Sequence, residues 1–356
     1  MMRPVQKEVP PPFRGTAGDH GRRSMRTIPA DRLTVPGGEL LWTTEVSHGL
    51  ILAPGWLQAT PRGPGRASAD AHYIAVCPVP GPLACAAWYV RSGSGHCGVV
   101  TLNPSAQYAD DRNLRARQRF WQYQDPYFDM VGWVMDLARL SPGLRVLDAG
   151  CGNGAYLRAL RDRQAVAVGC DLSLGMLRAA AHPALLNADV TALPLRDGAV
   201  DVALAIHMLY HVPSREAAIG ELRRVVAAGG TCIAVTNGRR HTRSLRALVE
   251  RAVRQETPGW QMRPATCAFT AENAAAQLGN AFEIVTCVRP ASNPPVVIRD
   301  AAVAAGYLAS LASHHQGETV RPWDDVVEDV RQQVQAVIDD KGAFITCGDL
   351  AAFICR

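Results

Sequence analysis

Val146-Leu147-Asp148-Ala149-Gly150-Cys151-Gly152-Asn153-Gly154 carries an apolar run into three alternating glycines and on into a helical pattern. Glycines so placed let the backbone turn sharply and pass close to a ligand, while the helix N-terminus beyond them offers free N–H groups to a carboxylate. Asp171 stands 23 residues after Asp148 and closes the next apolar run, the position from which an acid reaches both hydroxyls of a bound ribose. Asn187-Ala188-Asp189-Val190 closes the third run, where a carboxylate can accept a hydrogen bond from an adenine amino group. His207 and His211, four apart in His207-Met208-Leu209-Tyr210-His211, are candidates for a base or for contact with a second reactant. The same spacing on a helix could bind zinc, but Pro213 closes the segment and no third ligand stands nearby. No metal is expected.

These side chains need a frame that brings three strand ends together. Strand-like runs at 144–149, 165–171, 185–189, 200–207 and 231–236 alternate with helical patterns at 154–163, 173–181 and 214–227. The last helix has Ser214 as its N-cap, Glu216 in its first turn, Ile219, Leu222 and Val226 on one face, and Gly229-Gly230 as its stop. Alternating strands and helices joined by crossovers of this length imply a parallel, doubly wound α/β sheet with helices on both faces. Upstream, 110–122 and 126–140 read as helices, the second with Tyr127, Val131, Val134, Met135 and Ala138 in register and Ser141-Pro142-Gly143 as its stop. Downstream come a helix over 242–256, a strand over 282–288 and helices over 300–313 and 322–340. Residues 343–347 and 351–355 read as a terminal strand pair or one interrupted strand. Asn293-Pro294-Pro295 is expected to be a turn.

Gly150-x-Gly152-x-x-Ala155 also satisfies the dinucleotide fingerprint, which would suit a nicotinamide-dependent oxidoreductase. Asp148 argues against it: two residues before the first glycine, an anion would face the pyrophosphate, whereas an ammonium group wants a carboxylate there. The run Leu193-Pro194-Leu195-Arg196-Asp197-Gly198-Ala199-Val200-Asp201 has no role in that fingerprint either. From about 143 to 237 the chain resembles the class I S-adenosylmethionine-dependent methyltransferases, particularly their small-molecule branch with a D-x-G-C-G-x-G signature. The motifs appear in order, ending with Glu221-Leu222-Arg223-Arg224-Val225 before Gly229-Gly230.

The resemblance implies a Rossmann-like, mostly parallel seven-stranded sheet with an antiparallel C-terminal strand, and S-adenosylmethionine as cofactor. It implies that Gly150, Gly152 and Gly154, with Cys151 and Asn153 between them, border the methionine portion. Asp171 would hold the ribose, and Asp189 with Val190 the adenine. Leu172 and Met176 would pack on adenine or ribose, and the His207 backbone would approach the sulfonium. Asp148 would either hold the ammonium or order the loop. The loop after the fourth strand faces the transferred methyl in this fold, which makes His211 the first candidate base, with His207 beside it. Tyr108, Trp121 and Tyr123, in a helical leader that folds over the cofactor as a lid in this family, are candidates to line the acceptor pocket, as are Tyr210 and His241. The acceptor is expected to be a small organic molecule methylated at O, N or C. Methylation of RNA, or cofactor binding without catalysis, would use the same cofactor motifs.

Hydrophobic residues make up 48% of the chain and charged residues 19%, a globular composition. No run of 18 apolar residues could cross a bilayer, so no membrane partner is expected. Ten cysteines are spread without a C-x-x-C pair, as in a reducing cytoplasm. Of the net charge of +5, residues 1–100 hold 10 Lys+Arg against 6 Asp+Glu, leaving 27 against 26 in the remainder, so no nucleic-acid partner is expected. Pro and Gly supply 25 of the first 100 residues and 30 of the last 256. The expected organisation is therefore a mostly disordered extension over 1–100, a helical leader over 101–141, and a catalytic domain over 142–356 with a helical insertion at about 299–340. A translation start near Val99-Val100 would leave that domain whole.

Overall fold

Apolar runs without alternation become strands covered on both faces, and the covering starts before the sheet does. In the computed structural model, which describes residues 106–262, 265–315, 319 and 321–356 with three two-residue strands at Thr34–Val35, Gly38–Glu39 and Ile74–Ala75, helices α1 (Arg112–Trp121) and α2 (Met130–Ala138) lead in. The extension expected over 1–100 otherwise lies outside the described residues. There follow β1 (Arg145–Ala149), α3 (Ala155–Asp162), β2 (Val166–Asp171), α4 (Leu174–Ala180), β3 (Leu185–Asn187), β4 (Val200–Ile206), α5 (Arg215–Val225) and β5 (Val226–Asn237). These five strands are parallel in the order β3-β2-β1-β4-β5. After α6 (Arg243–Arg254), α7 (Ala274–Leu278) and β6 (Val285–Val288) come β7 (Pro295–Ile298), α8 (Ala301–Ala309), α9 (Ala312–His315) and α10 (Trp323–Lys341). The chain ends with β8 (Phe344–Cys347) and β9 (Leu350–Cys355). β9 inserts antiparallel between β5 and β6. Ile74–Ala75 adds an antiparallel edge beside β3.

Adjacent residues of β1 show why the sheet holds. Leu147 packs with Ile219 and Leu222 of α5, while Val146 packs on the other face with Val134, Leu157 and Leu160 of α2 and α3. Each such fully buried side chain contributes about 1.5–3 kcal/mol of transfer free energy. A third core joins the leader to the later helices: Phe120 of α1 stacks on Tyr307 of α8, in one cluster with Val249 of α6 and Val330 of α10. Among the described residues no helix is long and apolar enough to cross a membrane.

Several local expectations are corrected. α2 starts at Met130, because the Asp129 carboxylate accepts from the Gly132 N–H at 2.9 Å and caps it there; Tyr127 precedes the helix and is 65% exposed. Gly229-Gly230 does not stop α5. The helix ends at Val225, Val226 enters β5 directly, and both glycines lie inside that strand where its register against β4 shifts. A Cβ on Gly230 would lie 2.6 Å from the Asp201 carbonyl oxygen, so the close strand approach, not the helix end, requires glycine. Ser214 holds the N-cap position without a side-chain cap bond. β8 does not pair with β9; it forms a separate two-stranded sheet with β7, so Pro295 opens a strand instead of sitting in a turn. Residues 300–313 break into α8 and α9 at Ser310.

Candidate functional site

β1 ends at Ala149 and the chain turns through Gly150 (φ +70°) and Gly152 (φ +53°) to Gly154 (φ +76°), the left-handed N-cap of α3. Side chains rarely adopt such angles, and space excludes them too. A Cβ at Gly150 would lie 2.7 Å from the Met208 Cβ, and one at Gly154 3.0 Å from the Ala180 backbone. The Gly150 and Cys151 N–H groups donate to the Cys170 carbonyl at 2.7 and 2.9 Å. Asp171 accepts from Gly152 N–H at 2.9 Å and Ser173 N–H at 2.8 Å; burial still holds its carboxyl above the usual range. Asp148 is 1% exposed and its Oδ2 has no partner. Burial first, and the neighbouring Asp171 second, push it up to about 7. Asp189 is exposed and its Oδ1 accepts from Thr191 N–H at 2.9 Å, leaving lone pairs free above buried Val190. Leu172 is 37% exposed beside them.

The leader closes over this crevice. Ser173 Oγ donates to the Tyr108 carbonyl at 2.6 Å, and Gln118 and Asn153 exchange hydrogen bonds at 3.1 and 3.3 Å. Gln107 donates to the Ser310 carbonyl at 2.7 Å and Arg117 to the same oxygen at 3.2 Å, which fastens the leader to the insertion.

Beyond Tyr108 lies a second crevice with about 750 Å³ of atom-free space, its solvent-filled mouth included. Tyr108, Tyr210, His211, His241 and Tyr307 line it. The Tyr108 hydroxyl pairs with His211 Nε2 at 2.7 Å. Burial, then His314 and Arg117, bring His211 down to about 3, and burial brings His241 down to about 3 as well. Both imidazoles are therefore neutral at pH 7. The Asp349 N–H donates to His241 Nδ1 at 3.3 Å. His207 follows β4 at φ +53°, and its N–H donates to the Val235 carbonyl at 2.9 Å. Its buried Nδ1 has no partner, and burial brings it down to about 4.

Residues 147–234 match the family model described as a methyltransferase domain. The match spans β1 to β5 and contains the glycine loop, Asp148, Asp171 and Asp189. This stretch is a class I S-adenosylmethionine-dependent methyltransferase domain. A malonyl-[acyl-carrier protein] O-methyltransferase of Serratia marcescens is 35% identical over 28% of this chain and 41% of its own. A tRNA (carboxymethyluridine(34)-5-O)-methyltransferase of Arabidopsis thaliana is 38% identical over 26% and 24%. The chain thus spans less than half the length of these curated relatives. A solved structure of a putative methyltransferase from Anabaena variabilis is 20% identical, covering 63% of this chain and 95% of that one at a TM-score of 0.46.

Around the methyltransferase domain, some sequence candidates converge and others do not. Tyr108, Tyr210, His211 and His241 share the second crevice. Trp121 packs on the third core with its ring 4.9 Å from that of His241, and Tyr123, past the end of α1, is 45% exposed outside the crevice. Met176 is 1% exposed, buried in α4 where the leader covers that helix's first turn: a Cβ on Gly175 would lie 1.9 Å from the Ala109 carbonyl oxygen. The Asn153 amide is taken up by Gln118. A free imidazole titrates near 6.5, which is what makes His211 a candidate base from sequence; burial takes it well below that. Arg117, Arg246 and Tyr307 line the crevice and escape sequence reasoning, since on helices far apart in sequence they carry no shared spacing.

Proposed function

We propose that this chain transfers the methyl group of S-adenosylmethionine to a small organic acceptor in the crevice beyond Tyr108. The observation that carries the reading is Asp148. A carboxylate sealed beneath the glycine loop with one oxygen unpartnered is a seat for a cation, and a methionyl ammonium suits it. Asp171 takes the ribose hydroxyls on the lone pairs its backbone partners leave, and Asp189 with Val190 takes the adenine.

When bound, the cofactor supplies a methyl already activated by the sulfonium, so the chain's work is alignment and exclusion of water. Tyr108 spans both crevices, its carbonyl tied to Ser173 and its hydroxyl to His211. In our reading residues 101–141 are the lid and 299–340 shape the acceptor pocket, with His211 orienting the acceptor. A small acceptor is favoured over an RNA base because residues 101–356 carry 27 Lys+Arg against 26 Asp+Glu, too balanced for a phosphate backbone. We place the activity in the cytoplasm, the compartment suited to buried thiols such as Cys170 and Cys232.

The test is incubation with S-adenosylmethionine labelled in its methyl group, in the presence of total tRNA and a library of small acids, phenols and amines. Labelled product with S-adenosylhomocysteine release is the expected result. Label entering only tRNA would transfer the assignment to RNA.

A further inference from the structure

The second crevice has a one-sided charge. Arg117 enters it from α1 and Arg246 from α6, and among the described residues no Asp or Glu lines it. Neither guanidinium is neutralised among the described residues. Arg117 donates to the Ser310 carbonyl at 3.2 Å and lies 5.5 Å above the Tyr108 ring. Arg246 donates to the carbonyls of His241 and Arg239. The acid that acts on Arg246 is Glu250, one turn along α6 and itself bridged to Arg254 at 2.9 Å. Both arginines are half-buried, and burial weighs against the charge of Arg246. Both also act on one buried group, the Tyr307 phenol on α8, so their fields overlap within the crevice. Charges withdrawn from water are ordinarily paired, and a guanidinium left with carbonyls alone has donors to spare for an anion. Apolar Leu245, Met262, Leu308 and Leu311 form a leucine-rich part of its wall.

We infer that the acceptor is a small organic acid whose carboxylate sits between Arg117 and Arg246 while its apolar body lies on the leucine wall. This rests on the crevice being the acceptor site of a methyltransferase. The arginines select the substrate by charge, and the focusing of their field by low-dielectric walls raises the local concentration of anions. The neutral imidazoles of His211 and His241 add no charge of their own, so they leave the field of the two guanidiniums unopposed.

The test uses the full chain saturated with S-adenosylhomocysteine, titrated with benzoate, phenylacetate and hexanoate and with the amide of each. The acids should bind at least fivefold more tightly than their amides. Arg117→Gln and Arg246→Gln should each weaken acid binding about tenfold and erase the preference, with S-adenosylhomocysteine affinity within twofold of wild type. Arg246→Lys, which keeps the charge, should recover part of it. If cofactor binding is normal but the amides bind as well as the acids, if nothing in the panel binds, or if both Gln variants keep the acid preference, the inference is wrong. If S-adenosylhomocysteine itself does not bind, the failure lies in the proposed function beneath it.

Discussion

The Asp148 carboxyl, pushed up to about 7 by burial and by Asp171, must be ionised to hold an ammonium. Cofactor affinity should therefore rise as pH climbs from about 5.5 and level off above about 8; calorimetric titrations that stay flat across this range would contradict the assignment. His211 and His241, brought down to about 3 by burial, are neutral throughout and add no inflection. The same group sets a stability trend. With its folded value above the ordinary 3.8, the stability it contributes is complete below that value and lost as pH rises through about 7. Asp148→Asn should then stabilise the cofactor-free protein at pH 8 by roughly 1–3 kcal/mol while weakening cofactor binding more than tenfold. A variant that melts earlier at pH 8, or binds normally, would remove Asp148 from both roles. His211→Ala should leave cofactor affinity within about twofold and lower turnover at least about tenfold, less than the roughly 10²–10⁴ that a lost general base costs; a smaller fall would make the residue structural. The glycines and the three aspartates are legible from spacing because each closes a strand in sequence order. Arg117 and Arg246 are not, because tertiary packing alone brings α1 and α6 to one crevice.

The leader is held to the glycine loop by the Gln118–Asn153 pair and to α8 by Gln107 and Arg117. Gln118→Ala leaves the buried Asn153 amide without its partner, a cost of about 1–3 kcal/mol. Amide exchange over 106–121 should quicken about tenfold or more while the strands β1 and β4 keep their protection; uniform change, or none, would show that the leader is not a separate unit. Strand and helix identities are readable in the sequence because parallel strands buried on both faces leave uninterrupted apolar runs. Partners are not. Gly229-Gly230 looks like a helix stop in any local window, yet α5 passes straight into β5. β8 reads as a partner of β9, but Asn293-Pro294-Pro295 hides the strand it pairs with.

At the scale of the molecule, the chain reverses strand order at β1 and β4, and in open α/β sheets the ligand crevice lies beyond the carboxyl ends of the strands at such a point. Asp148 and His207 both stand there. The leader and the later helices share the third core, so the second crevice is walled in part by elements that bracket the methyltransferase domain in sequence. Because the three cores are built from residues between Phe120 and Cys355, a chain starting at residue 100 should fold and bind cofactor within twofold of the full chain; insoluble expression would show that the Pro/Gly-rich stretch is structural. The cofactor assignment is tested most directly by calorimetric titration of the wild type and of Asp171→Ala with S-adenosylmethionine, beside NADH as control. Hydrogen bonds to a charged acceptor contribute roughly 1.5–3 kcal/mol each, so S-adenosylmethionine should bind one-to-one, at least tenfold more weakly in the variant, and NADH should give no heat. Wild-type affinity retained in Asp171→Ala, or saturable binding of NADH in place of S-adenosylmethionine, would contradict the assignment.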